Sequence, residues 1–148
     1  MTKENSQEPS AGGTQSPEVL PDGLARVRKA AGGDKTLRFN NLLHHVTQDR
    51  LLGSYRALSR EAAAGVDGVT WKEYGKGLEG RIADLHGRVQ GGRYRAQPSK
   101  RIYIPKADGR MRPIGIAALE DKIVQHGVAQ MLGAIWEVDF VNFSYGFR

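Results

Sequence analysis

Lys106 and Arg112 are the residues of this chain whose types and spacing best suit a definite chemistry. They flank the turn of RIYIPKADGRMRPIGI, residues 101–116. A Lys and an Arg held close together suit phosphate oxygens, the guanidinium as a bidentate fork and the ammonium as a point charge. The ordinary alternative is a solvated basic hairpin tip that binds nothing. Arg95, Lys100, Arg101 and Tyr103 lie just upstream. Between residues 93 and 112 seven basic residues stand against one aspartate, a balance of +6 that equals the net charge of the whole 148-residue chain. Residues 1–36, by contrast, carry five charges of each sign and sum to zero. A compact basic run interleaved with Tyr94 and Tyr103 is the electrostatic footprint of a nucleic-acid surface.

Other chemistries find less support. The chain has no cysteine, so a disulfide framework or thiolate metal site is excluded. His44 and His45 have no carboxylate or third ligand at a suitable spacing, and read as packing or surface residues. Asp67, before Gly68, suits a turn in which it bonds nearby backbone amides. The first residues lack the basic-then-apolar order of a signal peptide, and no apolar run approaches membrane-spanning length. The expectation is a soluble cytoplasmic protein with no membrane partner. With 39% hydrophobic residues over 148 positions, one modest core is within reach.

The basic residues need a scaffold, and residues 101–116 read as two short strands joined by a turn at Asp108-Gly109. The apolar pattern suggests a register in which Lys106 faces Arg112, Ile104 faces Ile114 and Ile102 faces Ile116. Pro105 then opposes Pro113, residues 107–111 form a five-residue loop, and all four isoleucines share one face. Lys106 and Arg112 would thus be like charges directly opposite each other, a cost that a bound polyanion would reverse.

Upstream, residues 1–36 are rich in Ser, Gly, Pro, Gln and Glu and read as a disordered tail, with at most a transient helical turn through Val19, Leu20, Leu24 and Val27. From Leu37 the pattern turns helical. Leu42, Leu43 and Val46 suggest one short helix, and Thr47 an N-cap for a second bearing Leu51, Leu52, Tyr55 and Leu58. Thr70-Trp71-Lys72-Glu73 fits a capping box opening a helix to about Gln90, weakened by Gly75, Gly77, Gly80 and Gly87. Residues 119–137 form the clearest helix, with an apolar stripe through Leu119, Ile123, Val124, Val128, Met131, Leu132 and Ile135. The aromatic stretch DFVNFSYGFR, residues 139–148, reads as a turn that needs further chain to cover it. The fold class is α+β.

Five blocks in order resemble the N-terminal part of the group II intron reverse transcriptases (intron-encoded maturases): GVDGVT at 65–70, GRYRAQP at 92–98, RIYIPKADGRMRPIGI at 101–116, LEDKIVQ at 119–125 and SYGFR at 144–148. The resemblance implies a right-hand polymerase, with residues 37–148 forming its N-terminal extension and fingers. It implies that Lys106 and Arg112 grip the triphosphate of the incoming dNTP, and that Arg95, Lys100, Arg101 and Tyr103 lie along the RNA. The implied intact protein is an RNA-directed DNA polymerase and splicing maturase acting on group II intron RNA. Its palm carboxylates would hold two Mg²⁺ ions. Those carboxylates belong to motifs that follow SYGFR, and Asp139 is no substitute, so no catalytic residue and no bound metal are expected of residues 1–148. The alternatives are a stand-alone RNA-binding module derived from such an enzyme, or a truncated remnant without activity.

Overall fold

The computed structural model describes residues 22–138, which are α+β, with five α-helices, one 3-10 turn and a two-stranded antiparallel sheet. In chain order these are α1 (Asp22–Gly33), the 3-10 turn (Leu42–His45), α2 (Gln48–Ala57), α3 (Trp71–Tyr74), α4 (Leu78–Gln90), β1 (Lys100–Pro105), β2 (Met111–Ile116) and α5 (Leu119–Trp136). The aromatic stretch 139–148, with its SYGFR block, lies outside the described residues, as do residues 1–21.

The core is helical. α5 packs on α1 and α2, and α2 packs on α4. Leu24, Val46, Leu51, Leu85 and Ile123 are fully buried at its centre. The stripe read on α5 supplies Leu119, Ile123 and Met131 to this core, with Val124, Val128 and Leu132 half-buried against it. α1 corrects the expectation for its stretch. Where a transient turn was expected inside a disordered tail, residues 22–33 form three helical turns that bury Leu24, Val27 and Ala31. Spaced three and four apart, these make one apolar stripe, and α5 supplies the surface that such a short helix lacks by itself. No helix among the described residues is long and apolar enough to cross a membrane.

Two local expectations hold and one is modified. The Thr47 side chain accepts from Arg50 N at the start of α2. Thr70 and Glu73 form a reciprocal capping box, Glu73 N donating to Thr70 Oγ1 at 3.3 Å and Thr70 N to Glu73 Oε2 at 2.9 Å. The helix that this box opens is nevertheless two helices. It stops after Tyr74 and restarts at Leu78, because Gly77 adopts φ 68°, a left-handed conformation that no helix interior contains. The short helix expected around Leu42 is a single 3-10 turn.

The hairpin forms, in a register two residues away from the one expected. Ile102 opposes Ile114, Ile104 opposes Arg112, Lys100 opposes Ile116, Tyr103 opposes Pro113 and Pro105 opposes Met111. Lys106 therefore does not face Arg112. The turn decides the matter. Gly109 N donates to Lys106 O at 3.0 Å and Lys106 N donates to Arg110 O at 2.7 Å, closing a three-residue loop with Gly109 at φ 83°. This is a type I turn followed by a left-handed bulge glycine, a favoured way to join twisted strands. A slip of two residues keeps every side chain on its face, so the apolar pattern cannot distinguish the two registers. The prolines are content with it. Lys106–Arg110 is a hydrogen-bonded position, so by alternation Pro105 and Pro113 both fall at non-hydrogen-bonded ones, where a missing N–H breaks no ladder bond.

Candidate nucleic-acid interface

The hairpin stands out from the helical core, and its strands pack chiefly on each other. Alternation divides its side chains. One face carries Ile102, Ile104, Ile114 and Ile116 along its length, with Lys100 at one end and Lys106, Arg110 and Arg112 at the tip. The other carries Arg101, Tyr103, Pro105, Met111 and Pro113. Tyr103 is 57% exposed, Met111 55% and Ile104 42%, while Ile102, Ile114 and Ile116 are half-buried. Apolar surface is therefore left open on a strongly basic ribbon.

All seven basic residues of the 93–112 run are exposed, yet their electrostatic states differ. Arg110 is neutralised in place, its Nε and Nη2 meeting Asp108 Oδ2 at 2.8 and 2.7 Å. Those bonds, with one from the Arg110 amide, hold the Asp108 carboxyl below the usual carboxylate range. Arg95 folds back, Nη1 donating to Gly92 O and Tyr94 O at 3.0 and 2.8 Å. Lys100, Arg101, Lys106 and Arg112 make no side-chain hydrogen bond or ion pair among the described residues. Lys106 and Arg112 share a face at diagonal rather than opposed positions. In an antiparallel pair that offset is about 7–8 Å between Cα atoms, a span two oxygens of one polyphosphate can bridge. The like-charge cost expected for a direct pair is absent; Lys106 instead opposes Arg110, whose charge Asp108 already meets.

The other blocks converge on the start of α5. Lys122 Nζ donates to Ala63 O at 2.9 Å, beside the 65–70 loop. Asp67 caps its own turn, accepting from Val69 N at 3.1 Å, and meets Gln97 Nε2 at 3.5 Å. Asp121 accepts from the Tyr94 hydroxyl and from Gln97 N. Glu120 accepts from Arg88, which also bonds Asp84, and from the Tyr74 hydroxyl. Burial, and then the neighbouring carboxylate, push both the Tyr74 and the Tyr94 hydroxyls well above the usual tyrosine value. Sequence reasoning missed Asp121 and Glu120. Their signal was present: Asp121 precedes Val124 and Val128 by three and seven positions, so it interrupts an apolar stripe.

No group of three or more His, Asp or Glu among the described residues could hold a metal ion. The nearest collection of carboxylates, Asp67, Asp84 and Glu120, borders an open pocket of about 500 Å³ with Lys76 and Arg81. Each of the three already accepts hydrogen bonds within the protein. These residues do not fit a two-Mg²⁺ centre, and no metal-dependent step follows from them.

The fold and this surface define a helical base bearing a basic, partly apolar β-ribbon. No family model matches the chain, but curated proteins do. It is 37% identical over 134 residues to Protein YkfC of Escherichia coli K12, covering 88% of this chain and 35% of that protein. It is 32% identical over 127 residues to the group II intron-encoded protein LtrA of Lactococcus lactis, covering 84% of this chain and 21% of LtrA. A putative COX1/OXI3 intron 1 protein of Saccharomyces cerevisiae is 28% identical over 114 residues, covering 74% of this chain and 13% of that protein. The chain spans about a third of YkfC and a fifth of LtrA. Over most of its length it is a relative of the group II intron-encoded proteins.

Proposed function

We propose that this chain supplies the N-terminal extension and fingers of a group II intron-encoded RNA-directed DNA polymerase and maturase, and that its hairpin binds RNA and the triphosphate of an incoming dNTP. Four exposed cations without partners on one ribbon carry this reading. Lys106 and Arg112, diagonal on the ribbon's apolar face, take the triphosphate. Lys100, Arg101 and Tyr103, with Arg95, take the RNA. Tyr103 is exposed two residues from Arg101 on the same face of β1, an arrangement suited to stacking a base while a phosphate is held. The partner is intron RNA in splicing and a template strand in polymerisation; Mg²⁺ serves the intact enzyme from residues other than those described.

The test is Lys106→Ala and Arg112→Ala, each placed in a full-length polymerase relative, with dNTP dependence compared against RNA affinity. A charge-assisted phosphate contact contributes about 1.5–3 kcal/mol, so nucleotide efficiency falls on the order of tenfold to a hundredfold. RNA affinity falls much less. Equal losses in both would make the pair a general backbone contact and refute the triphosphate assignment.

A further inference from the structure

Asp121 is a buried carboxylate whose partners are not cations. It is 3% exposed in the first turn of α5, and its two oxygens serve different groups. Oδ1 accepts from the Tyr94 hydroxyl, and Oδ2 accepts from Gln97 N at 2.9 Å. No basic side chain forms an ion pair with it among the described residues. Burying such a charge is costly unless hydrogen bonds satisfy it. The N-terminal end of α5 offsets part of that cost, and the Tyr94 and Gln97 donors supply the bonds.

What these bonds hold is the lead-in to the ribbon. Its near end is pinned to α4, where Arg93 N and Tyr94 N both donate to Arg88 O, at 2.9 and 3.0 Å. Its far end is pinned by Asp121 at Gln97, three residues before β1 begins. Residues 95–101 are otherwise exposed, and the hairpin beyond them leans little on the helices. β2 runs directly into α5, with Ala118 buried between them. Without the Asp121 contacts the stretch before β1 would therefore be held only at its α4 end and by the long Gln97–Asp67 contact, and its cations could shift relative to the ribbon.

We infer that Asp121 is a positioning residue: it sets the direction in which residues 93–101 leave the helical base, and so aligns the cations of the lead-in and of the ribbon on one polyanion-binding surface. This rests on the reading of the ribbon as an RNA-phosphate surface. Asp121 itself touches no ligand.

The experiment compares Asp121→Leu with Asp121→Asn in the full chain. An asparagine keeps both contacts, its carbonyl accepting from Gln97 N and its amide donating to the Tyr94 oxygen. A leucine fills similar space and keeps neither. Binding of a short single-stranded oligouridylate is measured against salt, alongside hydrogen exchange at the Gln97 amide. In Asp121→Leu the Gln97 amide loses protection and the salt slope drops by about one or two phosphate contacts. Affinity then falls roughly five- to twenty-five-fold near 0.1 M salt. Asp121→Asn stays within about twofold of the parent in affinity and keeps its protection. A parental slope in Asp121→Leu overturns the inference, as does an Asp121→Asn as defective as the leucine. If Asp121→Leu does not fold, Tyr94→Phe, which deletes the bond to Oδ1 and keeps the one from Gln97 N, must still lower the slope; an unchanged slope overturns the inference equally. A parent chain that binds no oligouridylate removes the RNA reading itself and this inference with it, an outcome distinct from a binding parent with an indifferent variant.

Discussion

Gly65→Ala should be among the most damaging single-methyl changes available to this fold. A Cβ at Gly65 would lie 2.6 Å from both Ala118 N and Ala118 Cα, and 2.8 Å from Ala117 C. Carbon atoms pack at about 3.5–4.0 Å, so the loop and the start of α5 would have to part by about 1 Å. Both sides of the contact are backbone, and no side chain can swing aside to relieve it. Overpacking of this kind costs about 1–3 kcal/mol. For a fold of this size the melting temperature should drop by roughly 4–12 °C. Gly53→Ala is the matched control. It sits within α2 with nothing near an added Cβ, so exchanging glycine for alanine should stabilise by about 0.5–1 kcal/mol. Thermal melts followed by circular dichroism read both. A Gly65→Ala protein that melts within about 1 °C of the parent would refute the close approach of the 65–70 loop to α5.

Thr70→Ala removes the side-chain half of the capping box at α3, the bond from Glu73 N to Thr70 Oγ1, and should cost about 0.5–2 kcal/mol in a denaturant titration. Tyr74 and Tyr94 hold their protons above the ordinary tyrosine value of 10.0. Their raised folded-state pKa contributes stability that is fully present below pH 10.0 and is lost as pH climbs toward the folded values. Burial raises Tyr55 as well, so tyrosinate absorbance should show Tyr55, Tyr74 and Tyr94 ionising above the ordinary tyrosine range, and Tyr94→Phe should reduce the late-ionising groups by one.

The helical base was largely legible in the sequence, the ribbon's geometry less so. Thr47 and Thr70 announced their caps through side chains that act within three residues, so the local sequence suffices to find them. The stripe on α5 is long enough to give its period. α1 escaped because Leu24, Val27 and Ala31 become a helix only against α5, a surface far away in the chain. The break at Gly77 was visible as glycine content but not as position, since glycine permits a left-handed residue without requiring one. The ribbon's register failed for a sharper reason. Two registers that differ by two residues place every isoleucine on the same face, and only the loop chosen around Gly109 separates them. That error carried into the site: Lys106 and Arg112 share a face, as expected, but diagonally. Asp121 was missed because a carboxylate at a helix start reads as an exposed residue favourable to the dipole, and its burial depends on Tyr94 and Gln97 folding over it.

The central claim is that RNA phosphates are held through Arg95, Lys100 and Arg101 while Lys106 and Arg112 serve the triphosphate, and the salt dependence of RNA affinity tests it most directly. Each phosphate contact on a single strand contributes about −0.7 to the slope of log affinity against log salt, so three contacts predict a slope of about −2. Replacing all three by alanine should bring the slope close to zero, whereas replacing Lys106 and Arg112 should change it much less. Replacing Arg56, Lys72 and Lys76, which are exposed on or beside α2 and α3, should leave it within about 0.5 of the parent. A slope that survives loss of Arg95, Lys100 and Arg101, or that collapses with the control set, would contradict this assignment.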